Sequence, residues 1–466
     1  MQQEVAEQQN KMAVTPIGKL IWKMGLPMIV SMILQAVYNI VDTAFVINMG
    51  EDGVAGNLAL TYAFPIQLLI IAIGVGTGVG INALLSKSLG EKNKEKADRV
   101  VGNGIFLGIC IYAVFLLFGL FGAKPFIAFQ SKGDGLVAQM GGEYLSICCI
   151  TSFGAIGFTI YERFLQSTGR TLYSTLSQIA GAVANIILDY VFIYPLKMGV
   201  AGAAWATVIG QILSLVTAML FHYFTNKEIG NNVKNIKPSG KIIKEIYHIG
   251  LSAALMQGLL SVMMLGVNLI LGTAKYNATL LQGSFGIYYK IMQFALFACF
   301  GLSNTIISVL SYNYGMGNKQ RSVDCIKWGL LDTAIVALVI TVLFESLAGP
   351  LANLFGMASG ESGSEITKTV ITAVRIASIG YLFMGISIAV QGVLQALRYA
   401  VSPLIISALR LVVIVLPVVW LFTLTRNPQS YMWWAFPISE IFTAAVSAGV
   451  CVMAYNKKIK TMCNTN

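Results

Sequence analysis

The chain has 466 residues, of which 56% are hydrophobic and only 11% are charged, and its mean hydropathy is +0.74. Soluble domains carry about 25% charged residues, so this composition excludes a soluble globular protein and indicates one built into a membrane. A net charge of +11 would suit nucleic acid as a partner, but the distribution of Lys and Arg along the chain, described below, argues against one. The seven Cys show no metal-binding or redox spacing, and we expect packed, free thiols.

Twelve apolar segments follow one another along the chain. Each has about 20 residues or more, the length that a helix needs to cross a bilayer. The sequence therefore predicts an all-α polytopic membrane protein. We place its transmembrane helices, in chain order, at residues 24–48, 57–85, 100–122, 138–161, 172–195, 200–224, 249–273, 283–312, 325–348, 369–396, 400–424 and 431–455.

The segments between these spans differ strongly in positive charge. If the N-terminus is cytoplasmic, 22 Lys and Arg residues fall in cytoplasmic segments and six in outer loops. Lys and Arg accumulate on the cytoplasmic side of membrane proteins, so we expect both termini in the cytoplasm. The same distribution assigns the excess positive charge to the inner leaflet rather than to a nucleic acid.

The two halves of the chain repeat each other. Each half holds six spans, an even number, so both halves enter the bilayer in the same direction, a parallel repeat found in transporters. We predict two pseudo-symmetric six-helix lobes, residues 1–224 and 249–466, joined by a cytoplasmic linker, residues 225–248. A shift of 225 residues superposes Gly25 on Gly250, Gly76 on Gly301, Gly90 on Gly315, Asn93 on Asn318 and Lys94 on Lys319.

The fifth span is nearly all apolar, yet it contains Asn185 and Asp189, which share one helix face because they are four residues apart. A carboxylate at membrane depth costs about 2.5–3.5 kcal/mol on translocon scales and usually faces a cavity or a partner. We therefore interpret Asp189 as functional. The alternative is that it lies near the end of the span and reaches water.

The first span carries a second polar set, spaced three or four residues apart along one stripe of the helix, which we expect to face the interior. Upstream, Gly25 and Pro27 weaken the backbone, and Pro27 favours a kink that could act as a hinge. Equally, Pro27 could simply open the helix in its first turn. The stripe consists of Gln35, Asn39, Asp42 and Thr43, with Tyr38 beside Asp42.

The sixth span adds Thr207, so oxygen-bearing side chains lie on three spans of the first half. The second half differs, because the repeat aligns Asp42 with Val267 and Asp189 with Val418. Two carboxylates in a low-dielectric cavity disfavour being ionised together, which makes a proton switch near neutral pH reasonable. The same oxygens could instead hold a hard cation such as sodium. We expect no cofactor besides this ion.

Other side chains carry weaker signals. Asp332 and Glu440 lie within spans without an obvious partner, and we expect Glu162 and Arg163 to form a solvated rim. The second span contains GVGTGVG, whose interleaved GxxxG spacings indicate close helix packing. Side chains that could line a cavity for flat apolar cations, besides those of the first span, are Gln211, Phe153, Phe158, Tyr288, Met292 and Arg410. Arg410 could instead pair with an acid.

These motifs resemble the multidrug and toxic compound extrusion (MATE) family over nearly the whole chain, and most closely its bacterial MepA-like and DinF-like branch. The carrying segments are GLPMIVSMILQAVYNIVDTAFV in the first span, LGEKNKEKADR after the second, FLQSTGR after the fourth, ANIILDYVFI in the fifth and GAAWAT entering the sixth. The first-span and fifth-span motifs are specific when they occur together.

The resemblance implies two six-helix lobes that form a V around a central cavity in a bacterial plasma membrane. It implies export of amphipathic, often cationic drugs by a monomer, through alternating access driven by a proton or sodium gradient, with the first span bending near Pro27. The implied cation site of the N-terminal lobe is Asp42, Asn185, Asp189 and Thr207. The acidic residues that the NorM-like branch has in spans seven and ten are absent here, which argues against a sodium site of that type in the C-terminal lobe.

Two other functions remain open at this point. A lipid-linked oligosaccharide flippase of the same superfamily is one, although such carriers commonly have a more cationic cavity. A membrane-embedded enzyme is the other, against which stands the absence of DDxxD-like clusters, HExxH and GxSxG; of the two His, only His222 falls within a predicted span, near its end.

Overall fold

The computed structural model describes residues 10–50, 52–131, 134–230, 235–275, 277–358 and 364–462, with the side chains of Asn39, Met357, Ala358 and Ser364 excluded. Throughout these ranges the secondary structure is helical, with turns between the helices. In the first half the helices are Lys11–Val14, Ile17–Ile47, Gly53–Gly90, Lys94–Phe121, Ala123–Gln130, Gly135–Ile150, Phe153–Ser167, Thr171–Ile193 and Gly199–Thr225.

The second half continues in the same way. Its α-helices are Gly240–Gly272, Ala278–Gly315, Lys319–Ala358, Ser364–Ser378, Tyr381–Ala396, Val401–Ala408, Val415–Thr423, Pro428–Tyr431 and Ala435–Ala454; π-helical turns occupy Leu409–Val413 and Tyr455–Ile459, and a 3-10 turn occupies Met432–Trp434.

The predicted all-α membrane fold is confirmed. Among the described residues, ten helices are long and apolar enough to cross a membrane, and there are twelve spans when each of two bent helix pairs counts as one. Many helices are longer than the predicted spans: the first begins at Ile17 rather than at residue 24, and the ninth covers Lys319–Ala358. Hydropathy marks only the apolar core of a helix, whereas the backbone bonding continues beyond it.

The fourth and tenth spans are broken, which the sequence analysis did not predict. Gly135–Ile150 and Phe153–Ser167 meet at 42°, and Glu365–Ser378 and Tyr381–Ala396 meet at 53°. The second segments follow Ser152 and Gly380 respectively, so the break recurs at corresponding places in the two halves. This recurrence supports the internal repeat.

The described residues form two compact units. One consists of residues up to Ile33 together with those from Leu255 onward, and the other of Leu34–Ala254. This division by contacts differs from the predicted lobes, which follow the sequence repeat and whose boundaries stay a prediction.

The close packing predicted for GVGTGVG is confirmed within the Leu34–Ala254 unit. A Cβ on Gly76 would lie 2.6 Å from the carbonyl oxygen of Gly250, and one on Gly78 would lie 3.0 Å from Cγ of Arg163. One glycine face of the second span therefore packs on the seventh span, and the other packs on the fourth.

Candidate functional site

Two acidic side chains of the Leu34–Ala254 unit lie together in its interior. Asp42 on the first span is 8% exposed, and Asp189 on the fifth is fully buried. Their carboxyl groups are close enough to interact electrostatically. The alternative that Asp189 reaches water at the end of its span is therefore wrong, because its side chain is enclosed by protein.

The oxygens of this cluster have unused hydrogen-bonding capacity. No described residue donates a hydrogen bond to Oδ1 of Asp42, to either carboxylate oxygen of Asp189, or to Oδ1 of Asn185. Burial of an ionised carboxylate is very costly unless it is paired or hydrogen-bonded. These oxygens are hard ligands and proton acceptors, so the cluster fits a proton or a small hard cation.

Asn185 and Thr207 connect the fifth span to the sixth beside this cluster. Asn185 is 3% exposed and lies one helical turn before Asp189. Its Nδ2 donates to Oγ1 of Thr207 at 3.5 Å, the outer limit of a hydrogen bond. Donation through the amide nitrogen leaves Oδ1 as an acceptor within the same cluster. The cluster therefore combines side chains from three of the predicted spans, the first, the fifth and the sixth.

Tyr144 on the fourth span belongs to this cluster, although it was not among the predicted site residues. It is buried, interacts electrostatically with both Asp42 and Asp189, and accepts a hydrogen bond from Nε2 of Gln67 at 3.0 Å. Tyr38, predicted beside Asp42, also interacts electrostatically with it. A lone Tyr or Gln in an apolar span has no periodic polar partner, so only the packing of the helices reveals its role.

The other predicted side chains of this half occupy varied places. Gln35, Thr43 and Gln211 are half-buried, and the side chain of Asn39 lies outside the described part. Phe153 is 39% exposed and packs against Tyr112, while Phe158 joins a small apolar cluster with Leu165 and Ala218.

The hinge candidates lie well inside the first span. Pro27 is an interior residue of the helix Ile17–Ile47, so the alternative that it merely opens the helix in its first turn is wrong. A Cβ on Gly25 would lie 2.6 Å from Cδ2 of Leu302. Cδ2 is the end of a flexible side chain, so a larger residue at position 25 requires Leu302 to move, and this contact does not by itself require glycine.

Three predictions about charged residues are corrected. Glu162 and Arg163 do not form a solvated rim: both are buried, and Gln166 accepts from Arg163 at 2.7 Å and donates to Glu162 at 2.9 Å. Asp332 has a hydrogen-bond partner in the side chain of Trp22. Glu440 also has a partner, since its Oε1 lies 3.8 Å from Nε of Arg410. Each partner comes from elsewhere in the fold or from a neighbouring turn, which sequence position did not reveal.

Twelve apolar spans, an internal repeat and a buried acidic cluster are together typical of membrane transporters. The sequence profile of the MatE family matches residues 27–191 and 252–421. The chain belongs to this family, whose members are transporters rather than enzymes.

Individual relatives agree with this membership. Over 422 residues, 90% of each chain, the protein is 26% identical to the multidrug export protein MepA of Staphylococcus aureus strain bovine RF122 / ET3-1. It is 27% identical over 374 residues to MepA of Staphylococcus haemolyticus strain JCSC1435, covering 79% of this chain and 80% of that protein. These bacterial relatives and the apolar helices support a multi-pass protein of the plasma membrane.

A solved structure shares the fold. It is described as the outward-facing conformation of a multidrug resistance MATE family transporter of the MOP superfamily. It superposes with a TM-score of 0.90 at 22% identity and covers 97% of this chain and 99% of the other.

Proposed function

We propose that the protein exports amphipathic, often cationic drugs by antiport with protons, through alternating access. In this proposal Asp42 and Asp189 hold the coupling proton, and Asn185 and Thr207 complete the polar surroundings. Sodium is the alternative coupling ion. The monomeric state and the cytoplasmic position of both termini belong to the same proposal.

The observation that carries the proposal is the pair of buried, mutually interacting carboxyl groups, three of whose four oxygens (Oδ1 of Asp42 and both of Asp189) lack described donors. Like charges that share a buried site cannot both be ionised at low cost. A proton relieves the repulsion without any demand on coordination geometry, and a cationic drug that enters nearby would favour its release. The names of the relatives support drugs as cargo. They do not favour the flippase alternative.

Transport by purified protein in liposomes tests which ion drives the export. Ethidium movement would be followed under a pH gradient alone and under a sodium gradient alone, at otherwise constant composition. We expect the pH gradient to drive ethidium transport and the sodium gradient to have little effect. Transport driven only by sodium would reject proton coupling and favour the alternative ion at the same oxygens.

Substitutions test whether Asp42 and Asp189 are needed for coupled transport. Asp42→Asn and Asp189→Asn keep the size of each side chain but remove its titration, so we expect gradient-driven ethidium transport to fall close to the protein-free background. Asp52→Asn is the matched control, because Asp52 is exposed and its side chain makes no capping hydrogen bond to its helix. Normal transport by the first two variants, at equal amounts of folded protein, would reject coupling at this cluster.

A further inference from the structure

Basic side chains gather at one end of the unit that contains the eighth to twelfth spans, around the π-helical turn Tyr455–Ile459. This turn carries Lys457 and Lys458, and Lys460 follows it. The ammonium group of Lys319, at the start of the ninth span, donates to the carbonyl of Lys460 at 2.8 Å. Because this bond attaches Lys319 to the end of the twelfth span, positive charges from two spans lie side by side.

The loop between the tenth and eleventh spans contributes to the same place. Nζ of Lys458 lies over the ring of Tyr399, 5.8 Å from its centre, which is within the range of a cation–π contact. Arg398 directly precedes Tyr399 in the chain. Three separate segments thus form one basic cluster, which consists of Lys319, Arg398, Lys457, Lys458 and Lys460.

Few carboxylates accompany this basic cluster. The segments that contain and flank it are residues 309–330, 391–402 and 451–466, and Asp324 is the only acidic residue in their sequences. Gln320 donates to Oδ1 of Asp324 at 3.1 Å. In the corresponding loops of the first half, basic residues form ion pairs with acidic ones: Lys87 with Glu91, Lys96 with Glu245, Arg99 with Glu95 and Arg170 with Glu228. The cluster of the second half therefore suits an anion from outside the chain.

Arg398 has a backbone conformation that favours glycine. Its φ is 64°, in the left-handed region, which residues with a Cβ adopt reluctantly. The sequence repeat aligns Arg398 with Gly169, whose φ is 79°. The turn itself would therefore accept glycine, and a cation at the end of a helix is favoured only weakly. An anion bound by the guanidinium group gives a stronger reason for arginine at this position.

Apolar side chains beside the basic cluster point away from the protein. Val401 and Ile405 begin the eleventh span directly after the loop, and Val452 and Met453 precede the π-helical turn of the twelfth. All four are more than half exposed. Exposed apolar patches mark contacts with membranes or other partners, and these four residues belong to membrane spans. The cluster and this patch therefore fit the charged head and the apolar chains of one amphipathic partner.

We propose that the basic cluster binds the headgroup of an anionic phospholipid, whose acyl chains lie against the apolar side chains beside it. The phosphate accepts charge-assisted hydrogen bonds from the guanidinium and ammonium groups, which are stronger than bonds between neutral groups. Basic pockets between transmembrane helices bind such headgroups in other membrane proteins. A free phosphate ion has the same charge chemistry but leaves the apolar patch without a partner, so the arrangement favours a lipid.

Native mass spectrometry of the purified full-length protein in an uncharged detergent tests this proposal by counting bound lipids. Phosphatidylglycerol and phosphatidylcholine with the same acyl chains would be added at equal concentrations. One Lys or Arg near an anionic headgroup contributes about fivefold to its binding. A site with several of them should therefore prefer phosphatidylglycerol by about tenfold or more. Equal occupancy by the two lipids would overturn the proposal.

Substitutions assign the preference to the basic cluster. Lys457→Gln with Lys460→Gln changes two exposed side chains and keeps the carbonyl that Lys319 uses. We expect the affinity for phosphatidylglycerol to fall about tenfold or more and that for phosphatidylcholine to stay unchanged. Lys241→Gln with Lys244→Gln is the matched control, because it removes two exposed Lys from the helix Gly240–Gly272. An equal loss in this control would show attraction to net charge alone and would overturn the site.

Arg398→Gly separates lipid binding from stability. Glycine adopts a positive φ readily, so the thermal stability without added lipid should be unchanged or higher. The affinity for phosphatidylglycerol should nevertheless fall about fivefold, since one charge is lost. An unchanged affinity would exclude Arg398 from the site.

Competition with glycerol 3-phosphate distinguishes a lipid from a free phosphate. We expect an excess of glycerol 3-phosphate to leave bound phosphatidylglycerol in place, because it lacks the acyl chains. Displacement at equal concentrations would show that the cluster recognises the phosphate alone and would overturn the lipid assignment. These measurements use no ion gradient, so their result does not depend on whether Asp42 and Asp189 couple transport to an ion.

Discussion

Replacing Gly76 by Ala tests the crossing of the second and seventh spans. A Cβ at this position would lie 2.5 Å from Cβ of Ala254 and 2.6 Å from the carbonyl oxygen of Gly250. These neighbours are backbone or directly attached to it, so a rotamer change cannot make room and the helices must separate. The repeat places Gly301 at the equivalent position, where a Cβ would lie 2.8 Å from the backbone nitrogen of Ile29.

The expected change in the free energy of unfolding follows from two opposing effects. Ala is favoured over Gly in a helix interior by about 1 kcal/mol, whereas crowding a well-packed interior costs typically about 1–3 kcal/mol. Gly286 is the matched control, since a Cβ there meets no atom of a described residue within 4 Å apart from its own helix backbone. Gly286→Ala therefore experiences only the first effect. The free energy of unfolding of Gly76→Ala should therefore be about 1–3 kcal/mol below that of Gly286→Ala.

Thermal unfolding of the two variants in the same detergent, followed by tryptophan fluorescence, shows which of them is less stable. We expect the midpoint of Gly76→Ala to lie below that of the unmodified protein and that of Gly286→Ala to equal or exceed it. Gly301→Ala should behave like Gly76→Ala. If Gly76→Ala unfolded at or above the temperature of Gly286→Ala, the close packing of this crossing would not contribute to stability as described.

Two further substitutions test single side chains. Tyr144→Phe removes the hydroxyl group beside the acidic cluster and leaves Nε2 of Gln67 with only the weak acceptor Sγ of Cys148, 3.7 Å away. We expect gradient-driven ethidium transport to slow by about fivefold, which corresponds to the roughly 1 kcal/mol of one neutral hydrogen bond, and unchanged transport would exclude a role for this hydroxyl. Arg321→Lys loses the planar guanidinium group that donates to the carbonyls of Met12 and Thr15 at 2.9 and 2.8 Å. Amide hydrogen exchange in residues 11–15 should accelerate about tenfold or more. An unaltered exchange rate would show that these bonds do not hold the N-terminal segment in place.

The fold was largely predictable because the bilayer imposes a strong constraint on sequence. A helix that crosses it needs a long apolar segment, and every span therefore leaves a hydropathy signal. The breaks near Ser152 and Gly380 leave no such signal, because hydropathy reports how apolar a segment is and not whether the axis of its helix bends. The length of the helices beyond the membrane core was also missed, because polar residues there continue the same backbone bonding.

The acidic cluster was predictable for a related reason. An acidic side chain in an apolar segment stands out, and four-residue spacings placed Asn185 and Asp189 on one face. Partners that come from other helices were not predictable in this way: Tyr144 and Gln67 look like ordinary residues of their spans. The pairing of Arg410 with Glu440 depends on how the eleventh and twelfth spans pack. It also depends on a π-helical turn, which no residue pattern predicts.

In the proposed mechanism, the carboxyl groups of Asp42 and Asp189 release a proton when cargo binds. The most direct measurement is proton release when purified protein binds ethidium, read from binding heats in buffers of different ionisation enthalpy. We expect the unmodified protein to release protons on binding and the variant with both Asp42→Asn and Asp189→Asn to release none. Equal proton release by that variant, or no release by the unmodified protein across pH 6 to 8 (roughly the range in which a proton switch operates), would contradict it.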